Sequence, residues 1–322
     1  MVATAGLFDL QVNGFAGVDF NDAGLTADAL DHALAAMLAT GVTQCLPTLI
    51  TATEAELHAH FAALDAAVAG SRLGPAMVPG YHLEGPFLNS APGFRGCHPI
   101  AAMLPPDLPM LQRLMDKRHR PIRLLTLAAE QPGALAMIAW AVAHDIVVAI
   151  GHSDAGAAVV DAAVAAGARM STHLGNGLPP LLPKLDNPIM AQLGEDRLAA
   201  GFIADGIHVP VPALRAMIRA KAPRAILVTD AVAAAAAPPG RYRFGAMEIV
   251  GHADGSARTH QGALAGSALT LDRAIRNVVA WGIADAATAI AMASAIPRQL
   301  LGLPSHGHVV WDDDLAVLHA TP

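Results

Sequence analysis

Residues 146–176 read IVVAIGHSDAGAAVVDAAVAAGARMSTHLGN, and they hold one full repeat of the fold. Ile146 to His152 is a short β-branched run that stops at Gly-His-Ser. Ala155 to Ala166 is rich in alanine and valine with helical spacing. Met170 to Gly175 is a second short run, and it delivers another histidine, His173, just before Asn176. A short strand, a helix and a second strand in this order form a βα repeat.

The same texture extends outward on both sides. Further strands are expected at Gly6–Gly14, Gly41–Thr51, Met77–Gly85, Pro121–Glu130, Leu198–Gly206 and Ala225–Asp230, which makes eight. The helices between and after them are expected near Thr26–Thr40, Thr53–Ala69, Leu108–His119, Gly133–Asp145, Ala155–Ala166, Asn187–Leu193, Val211–Lys221 and Leu269–Gly282. Eight βα repeats predict a (β/α)8 TIM barrel. A doubly wound sheet is disfavoured, because Gly14-Phe-Ala-Gly17 does not match the Gly-rich phosphate fingerprint. The barrel is expected to fill residues 1–300, with a β-hairpin insertion at about 241–260 that turns at Asp254-Gly255. Residues 301–322 read as a C-terminal β-tail.

Composition narrows the function. The chain has 322 residues, enough for a large core, with 54% hydrophobic and only 15% charged residues. A net charge of −7 disfavours nucleic acid and anionic membranes as partners. The longest apolar run, Ala134 to Ala143, is too short for a membrane span, and no signal peptide is evident. Two cysteines, Cys45 and Cys97, cannot build a disulfide framework, which suits a reducing, cytoplasmic setting. Against this sparse charge stand 15 histidines.

In a barrel of this type the chemistry gathers at the C-terminal ends of the strands. The strand ends here carry Gln11 and Asn13, Glu84, His152, His173 with Asn176, His208, and Asp230. Two imidazoles and a carboxylate, Glu84, His152 and His173, make a three-ligand set with an open position, the pattern of a catalytic metal centre. A bound divalent cation acidifies a coordinated water and polarises a carbonyl. Asp230 then reads as the general base and acid. Zinc suits these donors, and iron or manganese could occupy the same ligands. His82 reads as a supporting residue. His32, His58, His60, His119, His144, His252, His260, His306, His308 and His319 read as surface or packing residues.

The ordered motifs are more specific. Phe8-Asp-Leu-Gln-Val-Asn-Gly14, His82-Leu-Glu-Gly-Pro-Phe87, Gly151-His-Ser153, Thr172-His-Leu174, Gly201-Phe-Ile-Ala-Asp-Gly-Ile-His208 and Val228-Thr-Asp-Ala231 resemble the N-acetylglucosamine-6-phosphate deacetylases of the amidohydrolase superfamily. Gly262-Ala-Leu-Ala-Gly-Ser-Ala-Leu-Thr270 and Ala293-Ser-Ala-Ile-Pro297 resemble them too, so the likeness covers nearly the whole chain. The resemblance implies Glu84, His152 and His173 as metal ligands and Asp230 as catalytic acid/base. It implies that His98 helps polarise the acetyl carbonyl, and that His208 and the backbone at Asn176-Gly177 touch the substrate. It also implies a homodimer. Many amidohydrolases hold a second metal with His-x-His on strand one; Gln11-Val-Asn13 stands there instead, which predicts one metal per chain.

This sequence departs from the family pattern in three places. The family's phosphate-binding arginine is absent, with Lys184 near its place and Arg95 as another cation near the mouth. Lysine is a point charge and not a bidentate fork. The loop from Asn89 to His98 is longer than the family pattern. Strand one begins almost at Met1, which predicts a much reduced accessory β-domain. The leading expectation is a deacetylase of N-acetylglucosamine 6-phosphate. The alternatives are an amidohydrolase acting on an unphosphorylated N-acetyl amino sugar or an N-acyl amino acid, and a non-catalytic sugar-binding barrel.

Overall fold

The computed structural model describes residues 1–116 and 118–322. Eight parallel strands form the barrel: Leu7–Val12, Val42–Ile50, Tyr81–Glu84, Ile122–Leu127, Val147–Ile150, Met170–Ser171, Ala199–Ile203 and Ala225–Val228. Neighbours in sequence are neighbours in the sheet. The eighth strand closes on the first: the Asp230 amide donates to the Gln11 carbonyl at 2.9 Å, and the Asn13 amide to the Ala231 carbonyl at 2.7 Å. The expected TIM barrel is therefore present, with each strand inside its expected stretch.

The sequence makes these strands because it can bury both of their faces. All six residues of the first strand are buried, and so are all four of the third and the eighth. Strands covered by helices on one side and by the barrel core on the other need such continuous apolar runs. The helices are set by their starts. Thr26 caps the helix Ala27–Ala39 through the Ala29 amide. Thr53 and Glu56 form a reciprocal capping box on Glu54–Gly70, and Asn187 caps Pro188–Gly194.

Three expectations need correction. The helix expected over Leu108–His119 spans Leu108–Met115 and stops at Asp116; Lys117 lies outside the described residues. The hairpin expected at about 241–260 is a four-stranded antiparallel sheet, Gly240–Phe244, Met247–Gly251, Ser256–Thr259 and Leu264–Ser267. A second turn at Gly262, where φ is +86°, folds the last strand back. That last strand anchors the sheet to the barrel mouth: the Ser267 amide donates to the Asp230 carbonyl at 2.9 Å, and the Val232 amide to the Ser267 carbonyl at 3.0 Å.

The third correction concerns the ends of the chain. The residues ahead of the first barrel strand are themselves a strand, Val2–Ala5, paired antiparallel with His308–Trp311, which pairs with Val317–Thr321. The accessory β-structure thus draws on both ends of the chain. Trp311 from this sheet is fully buried in the main core, and its indole donates to Thr4 Oγ1 at 2.9 Å. Among the described residues no helix is long and apolar enough to cross a membrane.

Candidate active site

The strand ends converge as the spacing requires. Glu84 is the last residue of the third strand, and His152 and His173 each lie two residues beyond the fifth and sixth. All three side chains are buried. His173 Nε2 stands 3.0 Å from Glu84 Oε1, and His152 Nε2 stands 3.5 Å from the same oxygen. Gln11 from the first strand donates its amide to that oxygen at 3.0 Å. On the far side Asn13 donates to Asp230 Oδ1 at 2.7 Å.

The backbone at these positions is unusual. His152 (φ +50°), His173 (φ +23°) and Asp230 (φ +49°) all take the left-handed conformation that side chains other than glycine's resist. The strands therefore end sharply, and these three side chains line the mouth. Gly177 is required here for a different reason. A Cβ on it would lie 2.6 Å from His152 Nδ1, so only glycine lets the loop pass over the imidazole face.

The donor chemistry fits a divalent cation. His152 Nδ1 lies 2.6 Å from the Phe94 carbonyl oxygen, which can only accept, so Nδ1 carries the hydrogen. Nε2 then presents a lone pair to the Glu84 carboxylate, and two facing lone pairs need a positive charge between them. His173 Nδ1 is buried with no partner. Burial alone would lower the His173 pKa, but the Glu84 hydrogen bond and charge outweigh it and raise it. Burial pushes the Glu84 carboxyl up, yet the two imidazoles hold it well below the usual range.

His98 enters from the long loop after the third strand. Its Nδ1 lies 2.9 Å from Thr51 Oγ1, and its ring meets His152 edge-on at 4.6 Å between centroids. Burial, then the neighbouring His152, push its pKa down to about 3, so it is a neutral hydrogen-bonding group. Among the described residues, Glu84, His98 and His152 present ligand atoms within 4.8 Å of one another, so this trio takes His98 where the sequence expects His173, which joins it through Glu84 at 3.0 Å. Asp230 is raised to about 6 by burial and then by the charge of Glu84, with the Asn13 amide opposing.

A cavity of about 450 Å³ opens over this cluster. Glu84, His98, His152, His173, His208 and Asp230 line it, together with Asn176, Gly177 and Arg95. The His208 side chain is buried, with Nδ1 donating to Asp205 Oδ2 at 2.6 Å. Gln11 and Asn13 are buried behind Glu84 and Asp230, off the cavity wall. Lys184 does not line the cavity; it sits on an exposed loop beside Leu181 and Leu185, which are 87% and 73% exposed. His82 lies below the site, hydrogen-bonded to Thr126 Oγ1 at 2.8 Å. Cys97 reaches the cavity wall, but burial pushes its thiol up to about 12, far from a reactive thiolate.

Sequence reasoning does not anticipate the outer wall, made by Phe244, Gln261, Ala263 and Leu264 of the four-stranded sheet and its last turn. The motif Gly262–Thr270 is the available signal.

Known proteins place this arrangement. No protein-family model matches the chain. It is 36% identical over 296 residues to an N-acetylgalactosamine-6-phosphate deacetylase of Escherichia coli O157:H7, covering 92% of this chain and 77% of that protein. It is 34% identical to the human N-acetylglucosamine-6-phosphate deacetylase, covering 94% and 75%. In structure it matches a mutant of the Mycobacterium smegmatis N-acetyl-D-glucosamine-6-phosphate deacetylase in complex with N-acetyl-D-glucosamine-6-phosphate. The TM-score is 0.90 at 32% identity, over 99% of this chain and 85% of that one. These relatives define the class of protein, a hydrolase acting on amide bonds. The chain belongs to the N-acetylglucosamine-6-phosphate deacetylase family.

Proposed function

We propose that the protein removes the acetyl group from N-acetylglucosamine 6-phosphate, giving glucosamine 6-phosphate and acetate. The observation that carries this reading is the convergence of His152 Nε2 and His173 Nε2 on Glu84 Oε1, with Asp230 across the same cavity. Glu84, His152 and His173 would hold one divalent cation, with zinc the best match to the donors. When bound, the cation supplies Lewis-acid polarisation and a more acidic water.

The chain's own groups do the rest. An amide is a poor electrophile with a poor leaving amine, so both ends need help. His98, neutral and oriented through Thr51, is placed to donate a hydrogen bond to the acetyl oxygen. Asp230 is ionised at neutral pH; it takes the proton of the attacking water and returns it to the departing amine nitrogen. Asn13 fixes one carboxylate oxygen, which leaves the other for this transfer. Gln11 and Asn13 turn amide N–H groups toward Glu84 and Asp230, where a second cation would have to sit. Their neutral amides support a single-metal site.

His208, Asn176 and Gly177 line the sugar side of the cavity, and Arg95 offers a cation for the phosphate. Lys184, on its exposed apolar loop, would act on a second subunit of a homodimer. We place the enzyme in the cytoplasm, consistent with its free cysteines.

A second reading, the N-acetylgalactosamine 6-phosphate epimer, is favoured by the Escherichia coli relative. Steady-state acetate release from both epimers and from unphosphorylated N-acetylglucosamine decides between them. The proposal expects N-acetylglucosamine 6-phosphate to have the highest kcat/KM; equal rates with and without phosphate would overturn it. Elemental analysis tests the metal, and two equivalents per chain would contradict the single site.

A further inference from the structure

The opposite face of the barrel carries a second cavity, of about 740 Å³. It lies where three neighbouring strands begin. Arg169 precedes the sixth strand, Arg197 lies two residues before the seventh, and Arg224 precedes the eighth. The register sets them side by side: the Ala199 amide donates to the Arg169 carbonyl at 2.8 Å, and the Ala200 amide to the Arg224 carbonyl at 3.1 Å. Adjacent strands are about 4.8 Å apart, so the three arginines start within about 10 Å of one another. All three line the cavity.

Their charge is only partly balanced. Glu195 engages Arg197, with Nε donating to Oε1 at 2.9 Å. Among the described residues, Arg169 and Arg224 form no ion pair within 4.0 Å. Both side chains are exposed in a chain whose net charge is −7. The rest of the wall is apolar, with Ile296 and Leu300, and Gln299 adds an amide. Unpaired guanidinium forks recognise phosphate bidentately, and an apolar wall accepts an organic group. A cavity of this size suits a ligand of nucleotide dimensions.

We propose that this face binds a small organic phosphate at Arg169 and Arg224, at a site separate from the reaction centre. Arg169 is four residues before His173, and Arg224 six before Asp230. At about 3.3 Å per residue the two sites are about 13–20 Å apart along these strands.

The test is calorimetric titration of the metal-loaded enzyme with adenosine 5′-monophosphate, inorganic pyrophosphate, citrate and adenosine. The proposal expects the nucleotide to bind, and expects R169A/R224A to weaken it by about tenfold or more. Adenosine and citrate should bind more weakly than the nucleotide. The kcat and KM for deacetylation and the thermal midpoint should be unchanged in the double variant, because both side chains are exposed. Arg224→Gln alone should show a partial loss. The proposal fails if the nucleotide does not bind, if binding survives undiminished in R169A/R224A, which would assign it to the catalytic mouth, or if adenosine or citrate binds as tightly as the nucleotide.

Discussion

The two ends of the barrel strands use charge in opposite ways. At the mouth, Glu84, His98, His152, His173 and Asp230 are all buried, and their pKa values are displaced where a shift is resolved. At the back, Arg169, Arg197 and Arg224 are exposed, and among the described residues only Arg197 of the three is ion-paired. Both ends belong to the same strands. The chemistry therefore comes from burial and from the sharp backbone turns that aim side chains inward, and not from the abundance of ionisable residues.

This contrast can be broken at the mouth first. Glu84→Ala should lose the bound metal in elemental analysis, and activity should fall at or beyond the ~10⁴-fold upper range for one acid–base group. Asp230→Asn should keep the metal but lose about 10²–10⁴-fold in kcat. Survival of turnover within about tenfold would remove Asp230 from the chemistry.

A change near the strand starts should act on stability instead. Trp311→Ala empties a fully buried site and removes a hydrogen bond to Thr4. It should cost about 3–5 kcal/mol in denaturant unfolding, with kcat/KM of the folded enzyme unchanged.

The smallest expected effect sharpens the electrostatic side. Asp230 is raised to about 6, so its carboxylate is present above that pH and is lost as pH falls through it. The profile of kcat/KM should show an acid limb near pH 6. Asn13→Ala removes a hydrogen bond that favours the ionised form, so the limb should move up by ~0.5–1 unit. A downward move would reverse the assigned role of Asn13.

Much of this is legible in the sequence, for a physical reason. Parallel barrel strands are buried runs, so a lone Glu or His at the end of one stands out against its background. Glu84, His152, His173, His208 and Asp230 can be picked out that way. Lys184 is harder, because a cation on an exposed loop has no burial signature; the structure leaves it off the cavity wall. Phe244 and Gln261 are invisible for another reason. They approach the mouth through antiparallel pairings between Gly240 and Ser267, and an alternation that suggests a single hairpin does not say how far the sheet continues. The sixth strand, Met170–Ser171, is also shorter than the expected stretch Met170–Gly175, since the left-handed turn at His173 ends it early.

Those left-handed residues bear on any attempt to make the protein withstand heat. His152, His173 and Asp230 sit in a conformation that costs of order 1–3 kcal/mol at each position. Glycine would be more comfortable at all three. Selection for thermal tolerance without regard to turnover would therefore favour replacing the very residues that make the molecule an enzyme. A screen for hardier variants should hold these three positions fixed and look for its gains in the helices and the small sheets.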